Sequence, residues 1–215
     1  LLPMKGTTTL QALQSSSPAT IYRYGTSSTE TNYWLEFSQD TDVMRSPIAQ
    51  DQYDRLYWTD GNNQPRYAPN SMILQAGSGA YPRASYLLGI PAPSAPSLSG
   101  TTAPATGDIP ETRAYLVTYV SAYGEEGPPS PASSLVTVKP STSVTIALPG
   151  GPSGAYNITL LRIYRSSTVG NQAQWQFVKE VAIGTSSWTD SKAQSELGEV
   201  LPSEDWIAPP AGLKG

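Results

Sequence analysis

Residues 112–138, TRAYLVTYVSAYGEEGPPSPASSLVTV, decide the fold. Tyr115, Val117 and Tyr119 alternate with Leu116, Thr118 and Val120. A period of two is the repeat of an extended chain, whose successive side chains point to opposite faces. The run ends in a cluster of Gly and Pro and then resumes, so it reads as a strand, a loop and a second strand. Working outward, SLVTVKP (134–140), SVTIALPG (143–150), YNITLLRIYRSS (156–167), QWQFVKEVA (174–182) and SSWTDS (186–191) repeat the pattern. About six strands at roughly ten-residue spacing are the cadence of a β-sandwich. The expected core is Tyr115, Val117, Tyr119, Ile158, Leu160, Ile163, Tyr164, Phe177 and Val181. No segment in this half carries a sustained 3.6-residue apolar stripe. Residues 190–202 offer one helical turn, kept short by Gly198 and Pro202.

Composition agrees with an all-β protein. The 215 residues hold 20 Pro and 18 Gly, and only 14% are charged, which favours short strands joined by turns. The length suits two small domains. A net charge of -4 argues against a phosphate-binding surface, so nucleic acid is not an expected partner. No apolar run approaches the ~20 residues that cross a bilayer, and no charged-then-apolar leader is visible, so the expectation is a soluble protein without membrane insertion. The opening at Leu1 reads as the continuation of a longer or processed chain.

Cysteine and histidine are both absent. That removes disulfides, thiolate metal sites, the commonest general base and every Ser-His or Cys-His nucleophile. The expectation is therefore no catalytic residue, no cofactor and no metal.

The clearest boundary is GIPAPSAPSLSGTTAPATGDIPE, residues 89–111, where Pro and small residues replace aromatic-rich text. Proline lacks a donor and fixes φ, so this stretch should run extended at the surface. The division expected is an aromatic-rich N-terminal β domain over 1–88, a linker with the first sandwich strand over 89–111, the sandwich over 112–192, and an extended C-terminal tail over 193–215. Within the first part, residues 33–37 and 55–59 are strand candidates, and Asp60, Gly61 and Asn62 signal a turn into a hairpin or meander. The string Tyr57, Trp58, Thr59, Asp60 resembles a propeller repeat, but it occurs once, and a propeller needs several blades.

The strings YLVTYVSAYGEEGPPSPASSLVTV, LLRIYRSS and SSWTD, spread over residues 94–190, resemble the fibronectin type III-like domains of bacteriophage virion proteins. Trp175 and Trp188 come later than the tryptophan of the animal domains. With RLYWTDGNNQPRY and YPRASYLLGIPAPSAPSLS upstream, the layout over residues 31–210 resembles structural proteins encoded in tailed-phage genomes. The resemblance implies a virion protein of the tail or head-to-tail region, whose partners are other virion proteins and copies of itself. The alternative is a carbohydrate-binding module or adhesin that meets host-surface glycan through loops and aromatics. A third class, a hydrolase using Asp and Glu alone, needs two carboxylates converging in a cleft.

Candidate groups each have a plain structural reading. Asp51, Asp54 and Asp60, near Tyr53 and Tyr57, suit turns better than a glycosidase pair. Glu125 and Glu126 read as a solvated loop tip. Asp40, Asp42 and Asp51 lack the ligand spacing of a calcium loop. Trp34, Trp58, Trp175, Trp188 and Trp206 suit cores and contacts better than a sugar platform. The tail GEVLPSEDWIAPPAGLKG sets Trp206 and Ile207 before Pro209 and Pro210, and these four residues are the candidate subunit contact. Removing residues 201–215 should then leave the isolated fold intact while weakening assembly.

Overall fold

The computed structural model describes residues 11–25, 32–139, 142–169, 172–202 and 204–214. The chain is nearly all β, built of several antiparallel sheets. It divides into two compact units, Leu1–Leu88 with Pro209–Gly215, and Gly89–Ala208.

In the first unit, β1 (Thr20–Gly25) pairs antiparallel with β2 (Asn32–Phe37), Thr20 opposite Phe37 and Gly25 opposite Asn32. A second sheet is a meander of β3 (Asp42–Arg45), β4 (Leu56–Thr59), β5 (Arg66–Ala68) and β6 (Tyr86–Leu87), in that order. A single helical turn, α1 (Asn70–Ile73), follows β5. Tyr24, Leu35, Phe37, Leu56, Trp58, Ala68 and Ile73 form the core. The β4 to β5 turn is held by Asp60, whose Oδ1 accepts the N–H of Asn62 (2.9 Å) and of Asn63 (2.7 Å), with Gly61 at φ +72°. Local capping of this kind is why Asp and Asn mark turns.

Two side chains fasten the segment before β1 to β2. The Gln11 amide donates to Trp34 O and accepts from Trp34 N–H, both at 2.9 Å, standing in for a strand neighbour. The buried Glu36 carboxylate accepts the N–H of Gln14 (2.9 Å) and of Ser15 (2.7 Å).

The second unit contains β7 (Ser97–Ser99), β8 (Glu111–Arg113), β9 (Tyr115–Ser121), β10 (Glu126–Pro129), β11 (Val136–Val138), β12 (Val144–Ala147), β13 (Ile158–Val169), β14 (Gln172–Ala182) and β15 (Ser187–Asp190). Their sheets run β10-β9-β13-β14, β15-β12-β7 and β11-β8. One core draws on all three, with Tyr115, Val117, Tyr119, Leu161, Ile163 and Val178 meeting Val138, Val144 and Ile146. The proline-rich stretch belongs to this unit: β7 is an edge strand beside β12, and Ile90 packs on the core.

The expected single core is corrected here. Tyr164 and Phe177 lie in a separate cluster with Leu116 and Leu201, on the other face of the four-stranded sheet, and Leu160 is only half-buried. Leu160 and Tyr164 alternate with the core-facing Leu161 and Ile163 of β13, and Phe177 is turned the same way by a bulge in β14. Ile163 pairs with Lys179 but Tyr164 pairs with Phe177, which leaves Val178 over as an added residue that turns into the core at 0% exposure. Every residue of β9 is buried, so this strand is covered on both faces.

Parts of the stretch 193–215, expected as an extended tail, dock on the rest of the chain. Residues 194–196 make a 3-10 turn, and the next residues run along the free edge of β14. There Phe177 N–H donates to Glu199 O and Leu201 N–H donates to Trp175 O, each at 2.8 Å. Leu201 is buried against Leu116 and Tyr164, so a cut at 201 removes part of this unit's own packing. Further on, Gly61 N–H donates to Leu213 O (2.9 Å), Gly212 N–H donates to Asn63 O (3.1 Å), and Lys214 pairs with Asp40.

Candidate contact site

Two apolar surface features stand out, a groove in the first unit and the exposed Trp206 and Ile207 in the second. In the first unit, the hairpin of β3 and β4 and the loop after β3 enclose a groove of about 550 Å³. Its walls are Val43, Met44, Pro47, Ile48, Tyr57 and Trp58, closed by Pro65 and Leu88. Met44 and Ile48 are 57% and 56% exposed. β3 is an edge strand of its sheet. Arg45, next to Met44, is exposed, with Nη2 donating to Gly25 O at 2.6 Å and the guanidinium 5.3 Å from the Tyr24 ring.

The second feature is the candidate contact itself. Trp206 is 60% exposed and Ile207 91% exposed, Pro209 is half-buried and Pro210 is exposed. Trp206 borders a small cleft with Glu126, Gly127, Leu201 and Pro202. The other four tryptophans are buried or half-buried, Trp58 among the first unit's core residues and Trp175 and Trp188 packed on the second unit's clusters. Trp206 is the single exposed indole.

Glu126 is not a loop-tip residue. It opens β10 opposite Val120, and its carboxylate is 12% exposed. Oε1 accepts Thr118 Oγ1–H (2.6 Å) and the Tyr164 hydroxyl (2.7 Å), and Oε2 accepts Arg162 Nη1–H (2.7 Å). Arg162 Nε reaches on to Glu180 at 2.8 Å. Burial, then Glu126, pushes the Tyr164 phenol up from its ordinary value, and the Glu180 and Glu126 hydrogen bonds hold the Arg162 charge more firmly against burial. With both oxygens occupied and its partners locked, Glu126 braces the face that Leu201 covers.

Other acidic candidates have partners within the first unit. Asp51 pairs with Arg55 at 2.7 Å, both side chains 7% exposed, and caps the Tyr53 N–H at 3.1 Å. Burial works against the Asp51 charge, yet Arg55 and the Tyr53 N–H hold its carboxyl below the usual range. Asp40 pairs with Lys214. Tyr24 Oη donates to Asp54 O at 3.0 Å. Among the described residues, no group of three acidic, His or Cys side chains is placed to hold a metal ion.

A third cluster is buried between the sheets of the second unit. Arg165 Nη1 donates to Asp190 Oδ2 (2.8 Å) and to Lys192 O (2.9 Å), and the Tyr115 hydroxyl donates to the same Asp190 oxygen at 2.8 Å. Nearby, Arg113 makes a two-pronged pair with Glu111, 3.0 and 2.9 Å, and donates to Thr142 O at 3.0 Å. Arg113 holds Glu111 below the usual carboxylate range despite burial. These bonds tie β8, β9, β13 and β15 together inside the second unit.

Sequence reasoning singled out Trp206 and Ile207 and missed the groove and the Glu126 network. The groove needs Pro65 and Leu88 brought beside Val43 and Tyr57 by the meander, which no local pattern shows. No helix among the described residues is long and apolar enough to cross a membrane. No protein-family model matches the chain, and no curated protein matches it.

Proposed function

We propose that this chain is a structural protein of a tailed-phage particle, at the tail or head-to-tail region, acting through protein contacts in a symmetric assembly. Its second unit is read as a fibronectin type III-like sandwich, a reading that its sheets and shared core support and that begins from the sequence resemblance. The observation that carries the functional reading is the pair of exposed apolar features, the groove at β3 and β4 and the Trp206-Ile207 segment. Contiguous exposed apolar surface marks interaction sites, and aromatic side chains are enriched at the centres of interfaces.

The glycan-binding reading has less support. A sugar platform needs several aromatic faces presented together, whereas four of the five tryptophans are buried or half-buried. The hydrolase reading needs an acid and a base free to act, and Asp51 and Glu126 are already taken by Arg55, Thr118, Tyr164 and Arg162.

The test is location. Purified particles from the source, fractionated and examined by mass spectrometry, should contain the chain in fixed copy number. Its presence only in the soluble lysate would overturn the proposal, and binding on a glycan array would move the reading to the adhesin class.

A further inference from the structure

We infer that residues 209–214 of one copy dock on the Asp60 turn of a second copy, so that this arm is exchanged between molecules. The inference rests on the assembly reading above and names a contact for it.

The dock is built within the first unit, to which Pro209–Gly215 belong. Gly61 N–H donates to Leu213 O (2.9 Å) and Gly212 N–H donates to Asn63 O (3.1 Å), so backbone holds the arm at two points of the turn. Lys214 pairs with Asp40. Gly61 sits at φ +72°, and a Cβ there would lie 3.3 Å from the Lys214 side chain, so the turn keeps the room that the lysine fills. Gly212, at φ +80°, makes the matching bend in the arm. This is a site for a peptide, and every copy carries the peptide that fits it.

The arm has reach. Between Leu201 on the β14 edge and Gly212 on the turn lie Pro202, Pro209 and Pro210, with Glu204, Trp206 and Ile207 exposed. Proline fixes φ and keeps such a stretch extended. Eleven residue steps at about 3.3 to 3.6 Å each cover roughly 36 to 40 Å, enough to arrive at a neighbouring copy.

The dock makes the same bonds whichever copy supplies the arm, so differences elsewhere decide between the two arrangements. An arm on its own chain has an effective concentration on the order of millimolar, and copies side by side in a symmetric particle meet at a comparable concentration. The connector then tips the balance. Trp206 is 60% exposed and Ile207 91% exposed along it, and reciprocal exchange runs two connectors past each other, where each covers the other's apolar pair. Swapping an identical element is a low-cost route to a dimer, and one-way exchange through the same dock links copies in a row.

The experiment takes the Lys214–Asp40 pair as its reporter, since both side chains, 50% and 79% exposed, are open to a reagent. Unlabelled and heavy-nitrogen-labelled full chain are unfolded together in urea, refolded at high concentration and treated with a zero-length carbodiimide, which joins a touching ammonium and carboxylate as an amide. Mass spectrometry of the linked peptides reads which copies the two residues came from. Exchange predicts mixed-label pairs, about half of all pairs when it is complete, and fewer on dilution. Trp206→Ala with Ile207→Ala should lower the mixed pairs about tenfold and leave like-labelled pairs in place. Gly61→Val should abolish pairs of both kinds, and Gly212→Val repeats that test from the arm with the turn intact. Like-labelled pairs alone, or no link at all, overturn the inference. So do mixed pairs that persist in both glycine variants, since they come from chance collision. In each of these cases the assembly reading stands; it falls only if purified particles lack the chain.

Discussion

The guanidinium of Arg165 donates to the carboxylate of Asp190 at 2.8 Å with side-chain exposures of 1% and 0%, joining β13 to the end of β15 inside the second unit. Arg165 Nε and Nη2 have no hydrogen-bond partner among the described residues, so Asp190 is the main compensation for this buried charge.

Asp190→Ala should therefore cost about 3 to 5 kcal/mol, the loss expected when one member of a buried ion pair is removed. It also strips the Tyr115 hydroxyl of its acceptor. The double change Arg165→Met with Asp190→Leu should be milder than Asp190→Ala alone, because it leaves no charge uncompensated. Urea unfolding of the variants checks both statements, and a double variant worse than the single one would refute the desolvation argument.

Ile163 is 0% exposed in the core that the three sheets share, so Ile163→Ala should cost about 2 to 5 kcal/mol. Leu160, half-buried and outside that cluster, should lose clearly less on the same change. Equal losses in chemical denaturation would contradict the assigned register.

The sequence revealed the strands of this half better than their faces. Alternation in residues 115–120 was legible because β9 is regular, and Tyr115, Val117 and Tyr119 do share one face. Phe177 was misplaced because the bulge at Val178 shifts the phase of β14, whereas Tyr164 was misplaced because it follows Ile163 directly in β13 and so faces the other side. The burial of Leu116 was beyond local reading, since its cover, Leu201, arrives 85 residues later in the chain. The contact site divides in the same way. Trp206 and Ile207 are adjacent and apolar, so they could be seen, whereas the groove combines residues from Asp42 to Leu88 and exists only once the meander forms.

Leu201→Ala should destabilise the second unit by about 2 to 5 kcal/mol, the range for a buried leucine, because Leu201 covers Leu116 and Tyr164. A chain ending at residue 202 should melt near the full-length value for this unit, and one ending at residue 200 should melt lower. Calorimetry of the two truncations separates the edge-strand role of residues 198–201 from the anchor role of residues 206–207. Indistinguishable melting would show that the covering contact contributes nothing.

Acid and base should each weaken the fold, for opposite reasons. The Glu111 carboxyl is held low by Arg113, and those of Asp51 and Asp60 are held low by Arg55 and by Asn63 against the opposing effect of burial. A depressed folded value gives stability that is complete above the unfolded value, about 4, and is lost as pH falls through the folded value. Burial pushes the Tyr24, Tyr115 and Tyr164 phenols up, so their contribution is complete below about pH 10 and is lost above it. Urea midpoints measured from pH 2 to 11 should be level between about pH 5 and 9 and fall on either side. Glu111→Gln should flatten part of the acid limb; an unchanged acid limb would remove Glu111 from this account.

The amide of Gln11 and the carboxylate of Glu36 hold the leading segment to β2 through side chains, where a strand would use a continuous backbone ladder. A ladder opens as a unit with its sheet, but a strap of two side chains can lift while the sheet beneath stays shut. Amide hydrogen exchange should then show two clocks: the Gln14 and Ser15 protons exchange early, while those of Leu35 and Phe37 persist until the first unit itself opens. Glu36→Gln would quicken the first clock and leave the second nearly unchanged, so that the molecule sheds its leading edge without loosening the core it lies against.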